Sequence, residues 1–181
     1  DEVIENLEDL GFFIAPASTN FHSHFREGLL QHSVKVCRVG LMLREQMIQM
    51  NPDLDDLLPF DSVILATLLH DVCKSEIYKP AVKKRKNHYG IWEEYNGYDV
   101  NYSQFPLGHG EKSVIMLLRM GLDMTDEEIM AIRWHMTAWD LAFQSPEMKS
   151  NLNAAKDKTP FCCLVQTADA LSTNMLEYKA E

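Results

Sequence analysis

The sequence predicts an all-α domain, residues 1–181, carrying a small β-hairpin insert near residues 86–105. Three observations lead there. Apolar residues recur at mixed three- and four-residue spacings through most of the chain, the period of helix faces turned to a core. Helix start and stop signals bracket those stretches: Thr125-x-x-Glu128 is a capping box, Thr159-Pro160 a cap with a first-turn proline, and Gly11, Asn51-Pro52 and Gly121 are stops. From Lys79 to Leu107 the helical period vanishes. There Asn96-Gly97 sits among Tyr89, Trp92, Tyr95, Tyr98, Tyr102 and Phe105, the pattern of a hairpin turn.

Taken in order, Val3, Ile4, Leu7 and Leu10 place a short amphipathic helix within residues 1–15, and Pro16 to His24 reads as a loop. A long helix runs from Gly28 to about Met50, with Leu29, Leu30, Val36, Val39, Leu43 and Met47 as its apolar positions. A short acidic connection leads to Val63, Ile64, Leu65, Ala66, Leu68 and Leu69, a helix apolar on all sides and therefore buried, for which Asp61 offers an N-cap. After the insert, helices are expected over His109 to Met120, about Asp126 to Ala138, and Thr159-Pro160 to about Tyr178.

The chain has 46% apolar and 24% charged residues, the profile of a globular protein. Seventeen basic residues against twenty-seven acidic ones give a net charge of −10, a field that repels bulk nucleic acid and anionic membranes. No apolar run approaches the ~20 residues a bilayer requires, and the acidic start does not resemble a leader. Cys37, Cys73, Cys162 and Cys163 form no C-x-x-C pair and sit among apolar neighbours, which predicts reduced, packed thiols and a cytoplasmic protein.

The chemistry concentrates where the most apolar helix ends, in Leu68-Leu69-His70-Asp71-Val72-Cys73-Lys74. Burying an imidazole, a carboxylate and an ammonium together is costly unless something compensates, and a bound cation would. His70 and Asp71, as neighbours, point about 100° apart around a helix and can grip one ion beyond its end. Four more candidate ligands lie on other predicted helices: His32, His109 within Gly108-His109-Gly110-Glu111, His135 within Arg133-Trp134-His135-Met136, and Asp169 within Val165-Gln166-Thr167-Ala168-Asp169-Ala170-Leu171. The glycines beside His109 would let backbone approach a ligand closely. A lone histidine on an apolar face is more often a hydrogen-bonded core residue. That account weakens when five helices each bury a metal-competent side chain. Imidazole with carboxylate suits one or two divalent transition-metal ions, Fe, Mn, Zn, Co or Ni, better than an all-oxygen magnesium cage.

The order His32, His70-Asp71, Asp169 resembles the signature of the HD-domain superfamily of metal-dependent phosphohydrolases, over about residues 20–175. His109 and His135 match the subset that binds two metals. Gly28-Leu29-Leu30-Gln31-His32-Ser33 and the Leu68 to Lys74 string look like the HD module of certain bacterial 3′-to-5′ exoribonucleases. Lys74 matches the lysine of the H-D-x-x-K form in cyclic-dinucleotide phosphodiesterases, whose further Gly-Tyr-Pro motif is absent here. The resemblance implies an HD-type helical bundle in which His32, His70, Asp71 and Asp169 hold one metal, and Asp71 bridges to a second held by His109 and His135. It implies hydrolysis of a phosphate ester of a nucleotide-like small molecule by a metal-activated water, with Asp71 and Lys74 as catalytic residues. Arg26, Lys112 and Arg133, each close in sequence to a ligand, join Lys74 as candidate phosphate binders, against the plainer account of solvated surface charges. His22 and His24 could line the same site. Two alternatives stay open. One is a nuclease or phosphodiesterase on short single strands, guided by Lys79, Lys83, Lys84, Arg85, Lys86 and the aromatics that follow. The other is a nucleotide sensor without turnover.

Overall fold

The computed structural model describes residues 2–19, 25–101, 105–137 and 145–177. Within them the elements follow in the order α1 (Glu2–Asp9), α2 (Gly28–Met50), α3 (Phe60–Leu69), α4 (Lys74–Ile77), β1 (Tyr78–Lys86), β2 (Trp92–Val100), α5 (His109–Arg119), α6 (Asp126–Trp134), α7 (Pro146–Lys158) and α8 (Phe161–Leu171). A π-helical turn over Ser172–Leu176 continues α8. The fold is the expected all-α bundle with one two-stranded antiparallel hairpin. His22, His24, Tyr102, Ala138 and Tyr178 lie outside the described residues.

Helices α2, α6 and α8 pack around α3, which is buried on one face rather than all round: Val63, Ala66 and Thr67 are buried, and Ile64, Leu65, Leu68 and Leu69 are half-buried. Leu29 from α2, Leu117 from α5, Ile132 from α6, and Phe161 and Val165 from α8 complete the core, all without solvent exposure. Each such large side chain contributes about 1.5–3 kcal/mol, so the core does not depend on a bound ion. The axes come close because small residues meet: a Cβ on Gly40 would stand 2.8 Å from Thr67 Cγ2 and 3.7 Å from the Ala168 Cβ.

Most end signals act as read. Asn51 is extended and its Oδ1 accepts from the Asp53 N–H, while Thr125 and Glu128 form both bonds of the capping box. Four readings need correction. Pro160, not Thr159, holds the cap position of α8, although the Thr159 hydroxyl accepts from the Phe161 N–H. Asp61 does not cap α3: Pro59 holds the cap position and Asp61 stands in the first turn, where its charge complements the helix dipole. Helix α6 stops at Trp134, and Thr137 takes a left-handed φ of 47° soon after. Helix α7 carries no strong apolar period, since only Leu152 and Ala155 are buried on it; its signal is Ser145-Pro146, with the Ser145 hydroxyl accepting from the Met148 N–H. Cys37, Cys73 and Cys162 are buried free thiols, but Cys163, one position on from Cys162, faces outward.

The hairpin turns elsewhere than expected. Asn96 and Gly97 lie inside β2, opposite Val82 and Ala81. The reversal falls at Asn87 to Ile91, where the Asn87 side chain accepts the N–H groups of Tyr89 and Ile91 and Gly90 takes φ 77°. The basic stretch is therefore strand β1 rather than loop. Lys83 pairs with Asp99, Lys84 with Glu94 and Arg85 with Glu93, while Lys86 lies over the Trp92 ring. No helix among the described residues is long and apolar enough to cross a membrane.

The glycine after His109 serves packing between helices. A Cβ on Gly110 would lie 2.2 Å from the Arg133 carbonyl oxygen and 2.8 Å from its carbon, so α5 and α6 touch backbone to backbone two residues before His135. Elsewhere in a helix, alanine for glycine gains up to about 1 kcal/mol. At Gly110 neither backbone can step aside, and Gly110→Ala is expected to lose about 2–3 kcal/mol or more. Urea unfolding of the two proteins checks this; an unchanged or raised midpoint would show that the helices are not held by this contact.

Candidate metal centre

His70 and His135 are presented in the same way. Each is the residue after the last helical position of its element, α3 and α6, where the final carbonyls have no intrahelical partner. The His70 Nδ1 lies 2.9 Å from the Thr67 carbonyl and the His135 Nδ1 lies 2.7 Å from the Ile132 carbonyl, each three residues upstream. A carbonyl only accepts, so both Nδ1 atoms carry the hydrogen. When neutral, each ring then has its lone pair on Nε2. His32 lies on the buried face of α2. Its Nδ1 faces Glu177 Oε1 at 3.0 Å, a carboxylate from the far end of the chain.

The three Nε2 atoms converge on two carboxylates. His32 Nε2 stands 3.3 Å from His70 Nε2, 3.3 Å from Asp169 Oδ1 and 3.6 Å from Asp71 Oδ2. His70 Nε2 is 3.3 Å from Asp71 Oδ2, and His135 Nε2 is 3.5 Å from Asp71 Oδ1. Two groups of donors result, His32–His70–Asp169 and His70–Asp71–His135. Asp71 turns one oxygen toward each. Asp71 Oδ1 and His135 Nε2 are buried and have no hydrogen-bond partner among the described residues, a costly condition that a cation would relieve. The donor set and these two orphaned atoms fit divalent transition-metal ions.

The charges agree. Lys74, nearly fully buried, sets its Nζ 2.6 Å from Asp71 Oδ2. Burial alone would raise the Asp71 pKa, but Lys74 and His70 outweigh it and hold the carboxyl well below its usual range. Burial likewise opposes charge on Lys74, and Asp71 overrides it and holds the pKa above the ordinary lysine value. Burial disfavours protonated His32, yet Asp169 and Glu177 raise its pKa to about 9. His135 is raised as well, Asp71 outweighing burial.

Two Nε2 atoms at 3.3 Å need a proton or a cation between them, and in the metal-free chain His32 supplies the proton. A ligating imidazole is neutral, so metal uptake at pH 7 should release a proton, with apparent affinity rising toward pH 9 and levelling above it. The sign for stability is opposite. A pKa raised from 6.5 to about 9 stabilises the metal-free fold fully below pH 6.5, and this contribution is lost as pH climbs through 9. Titration calorimetry in buffers of different ionisation enthalpy reads the released proton directly; uptake with no proton release would contradict the assignment of His32.

The centre opens into a cavity of about 240 Å³ lined by Asp71, Lys74 and His135 with Thr137, Gln166 and Asn174. A larger cleft of about 640 Å³, between Leu10, Glu76, Phe105 and Arg119, has no convergent donors, so size does not identify the site. The other candidate residues lie apart from this cavity. Arg26 is exposed and lines a separate cleft with Tyr78 and Tyr98. Lys112 is buried against Glu76, Nζ to Oε2 2.8 Å, and Arg133 stacks on Trp134. His109, half-buried at the start of α5, belongs to neither donor group. Sequence reading missed Glu177, whose position depends on the π-helical turn: its N–H reaches back to the Ser172 carbonyl, five residues away, at 2.9 Å.

A helical bundle gathers imidazoles and carboxylates from α2, α6, α8 and the end of α3 into one buried cluster that could hold a metal ion. The chain belongs to the HD-domain family, whose model, described as HD domain, matches residues 29–174 and so spans His32 through Asp169. Members of this family are in general metal-dependent phosphohydrolases. No curated protein and no solved structure matches the chain significantly.

Proposed function

We propose that residues 1–181 act as a single phosphohydrolase domain that cleaves a phosphate ester of a nucleotide-like small molecule. The observation that carries the reading is the convergence of three imidazole Nε2 atoms on Asp71 and Asp169 with the Lys74 ammonium beside them. His32, His70, Asp71 and Asp169 would hold one divalent ion, and Asp71 with His135 a second. His109, outside both donor groups as they stand, would join the second on metal binding; the close α5–α6 approach at Gly110, next to it in sequence, supports this reading. Such ions supply Lewis acidity toward phosphoryl oxygens and bring the pKa of bound water toward neutrality.

The chain's own residues do the rest. The helix-end carbonyls of Thr67 and Ile132 fix the orientation of His70 and His135. Asp71 ties both donor groups to Lys74, and Lys74 presents the only ammonium lining the cavity among the described residues. That cavity is smaller than the ~300–1,000 Å³ usual for organic ligands, which suits a phosphoryl group held inside with the remainder reaching outward. The small-molecule reading is preferred to single-stranded nucleic acid because Lys83, Lys84 and Arg85 of β1 each face a carboxylate of β2. The buried free thiols of Cys37, Cys73 and Cys162 support a reducing, cytoplasmic setting.

The test is a panel of nucleotides and phosphodiesters offered to protein loaded in turn with Mn, Fe, Co, Ni or Zn. Hydrolysis is expected with at least one metal and one nucleotide-like ester, and loss on chelation with the helical signal intact, since the core stands without the ion. Tight binding of nucleotide without turnover under every metal would replace the hydrolase reading with that of a sensor.

A further inference from the structure

We infer that Glu177 is a positioning residue for His32: through the Nδ1 hydrogen bond it aims the His32 Nε2 lone pair at the centre and strengthens that ring as a ligand. The inference rests on the metal-centre reading above and adds a residue from outside the set His32, His70, Asp71, His109, His135 and Asp169.

Three features carry it. First, the contact is short and buried: Nδ1 to Oε1 is 3.0 Å, with the side chains 0% and 2% exposed. Second, Glu177 does a job that the other two rings assign to backbone. His70 and His135 sit at helix ends and use the carbonyl three residues back, a position that any helix end provides. His32 lies in the second turn of α2, where the preceding carbonyls are committed to the helix itself, so its Nδ1 partner has to be imported. Third, the import needs a specific backbone. Helix α8 carries Asp169 to the centre and then widens into the Ser172–Leu176 π-helical turn, closed by the Glu177 N–H to Ser172 carbonyl bond. One element therefore brings in both a carboxylate facing His32 Nε2 and a carboxylate facing His32 Nδ1. π-Helical insertions of this kind concentrate at functional sites.

The chemical consequence differs between the rings. A carboxylate accepting from Nδ1 pushes electron density toward Nε2 more than a neutral carbonyl does, and loss of such a partner typically weakens metal binding 10–100-fold. His32 is thereby the strongest imidazole donor of the three. Lys35 Nζ lies 3.7 Å from the same Oε1, but is itself one-third exposed and more distant than His32.

The experiment compares wild type, Glu177→Ala and Glu177→Gln as full-length chains. It measures Co²⁺ affinity by titration calorimetry, the visible absorption of the Co²⁺-loaded protein, and the melting temperature of the metal-free form. Glu177→Ala is expected to bind Co²⁺ about 10–100-fold more weakly with a shifted absorption envelope. Glu177→Gln keeps an amide oxygen for Nδ1 but loses the charge, and should recover most of the absorption envelope and only part of the affinity. A purely structural role would lower the melting temperature of both variants and leave affinity and spectrum alone. Wild-type affinity and absorption in a folded Glu177→Ala, or in a folded Glu177→Gln should the alanine variant not fold, would overturn the inference. Failure of the wild type itself to bind Co²⁺ would overturn the metal-centre reading instead.

Discussion

Asp71→Asn is expected to abolish both metal retention and phosphoester hydrolysis, whereas His135→Ala should lose only the ion of the second group. The difference follows from which oxygen faces what. Asp71 Oδ2 is within 3.3 Å of His70 Nε2 and 3.6 Å of His32 Nε2, and Oδ1 faces His135 Nε2 at 3.5 Å. Removing the negative charge withdraws the one carboxylate common to the two sides while leaving side-chain volume unchanged. Removing His135 leaves His32, His70 and Asp169 intact. Asparagine also leaves the buried Lys74 ammonium without its counter-charge, and breaking a buried pair by removing one partner costs about 3–5 kcal/mol. The Asp71→Asn protein should therefore melt well below wild type even without metal. Elemental analysis after dialysis, alongside thermal unfolding, measures both effects. Equal metal stoichiometry in wild type and Asp71→Asn would remove Asp71 from the centre.

What could be read from the chain is what depends on period and on helix ends. The apolar run from Val63 to Leu69 pointed to a core helix, and its Val63, Ala66 and Thr67 are buried while Ile64, Leu65, Leu68 and Leu69 are half-buried; the polar trio that ends it, His70, Asp71 and Lys74, is buried as well. The order of candidate ligands was legible because each lies on a predicted helix or at its end. The features that escaped depend on which of two local options tertiary contacts select. Asn96-Gly97 is a strong turn signal, yet Asn87 with Gly90 turns the chain first and leaves the pair inside a strand. Helix α7 is polar on most of its surface, so periodicity could not find it. Sequence does not reveal that Asp99, Glu94 and Glu93 stand across the ladder from Lys83, Lys84 and Arg85. Glu177 was invisible for a sharper reason: its partner is 145 residues away, and only a π-helical turn brings them together.

Lys74→Ala is expected to leave metal content unchanged and to lower kcat by about 10²–10³, the loss that follows removal of one donor acting mainly in the transition state. The plainest account of this residue, a solvated lysine at a helix end, does not hold, because Lys74 is buried and its Nζ lies 2.6 Å from Asp71 Oδ2. A second account, in which it only neutralises Asp71, makes a different prediction. With ions bound, their charge takes over that neutralisation, so a merely compensating lysine would become dispensable and its loss would raise metal affinity with no change in rate. An ammonium has no lone pair and cannot be a ligand. What it can do is meet charge on a phosphoryl oxygen, and it is placed for this, since it lines the same cavity as Asp71 and His135. Binding of the ground-state ester should suffer less than kcat. Lys74→Arg keeps the charge but spreads it over a planar fork in a cavity of about 240 Å³, so partial rescue at best is expected. Steady-state rates at matched metal loading, over every ester that the wild type hydrolyses, separate the two accounts. Rates equal to wild type in Lys74→Ala would leave charge compensation as its whole role.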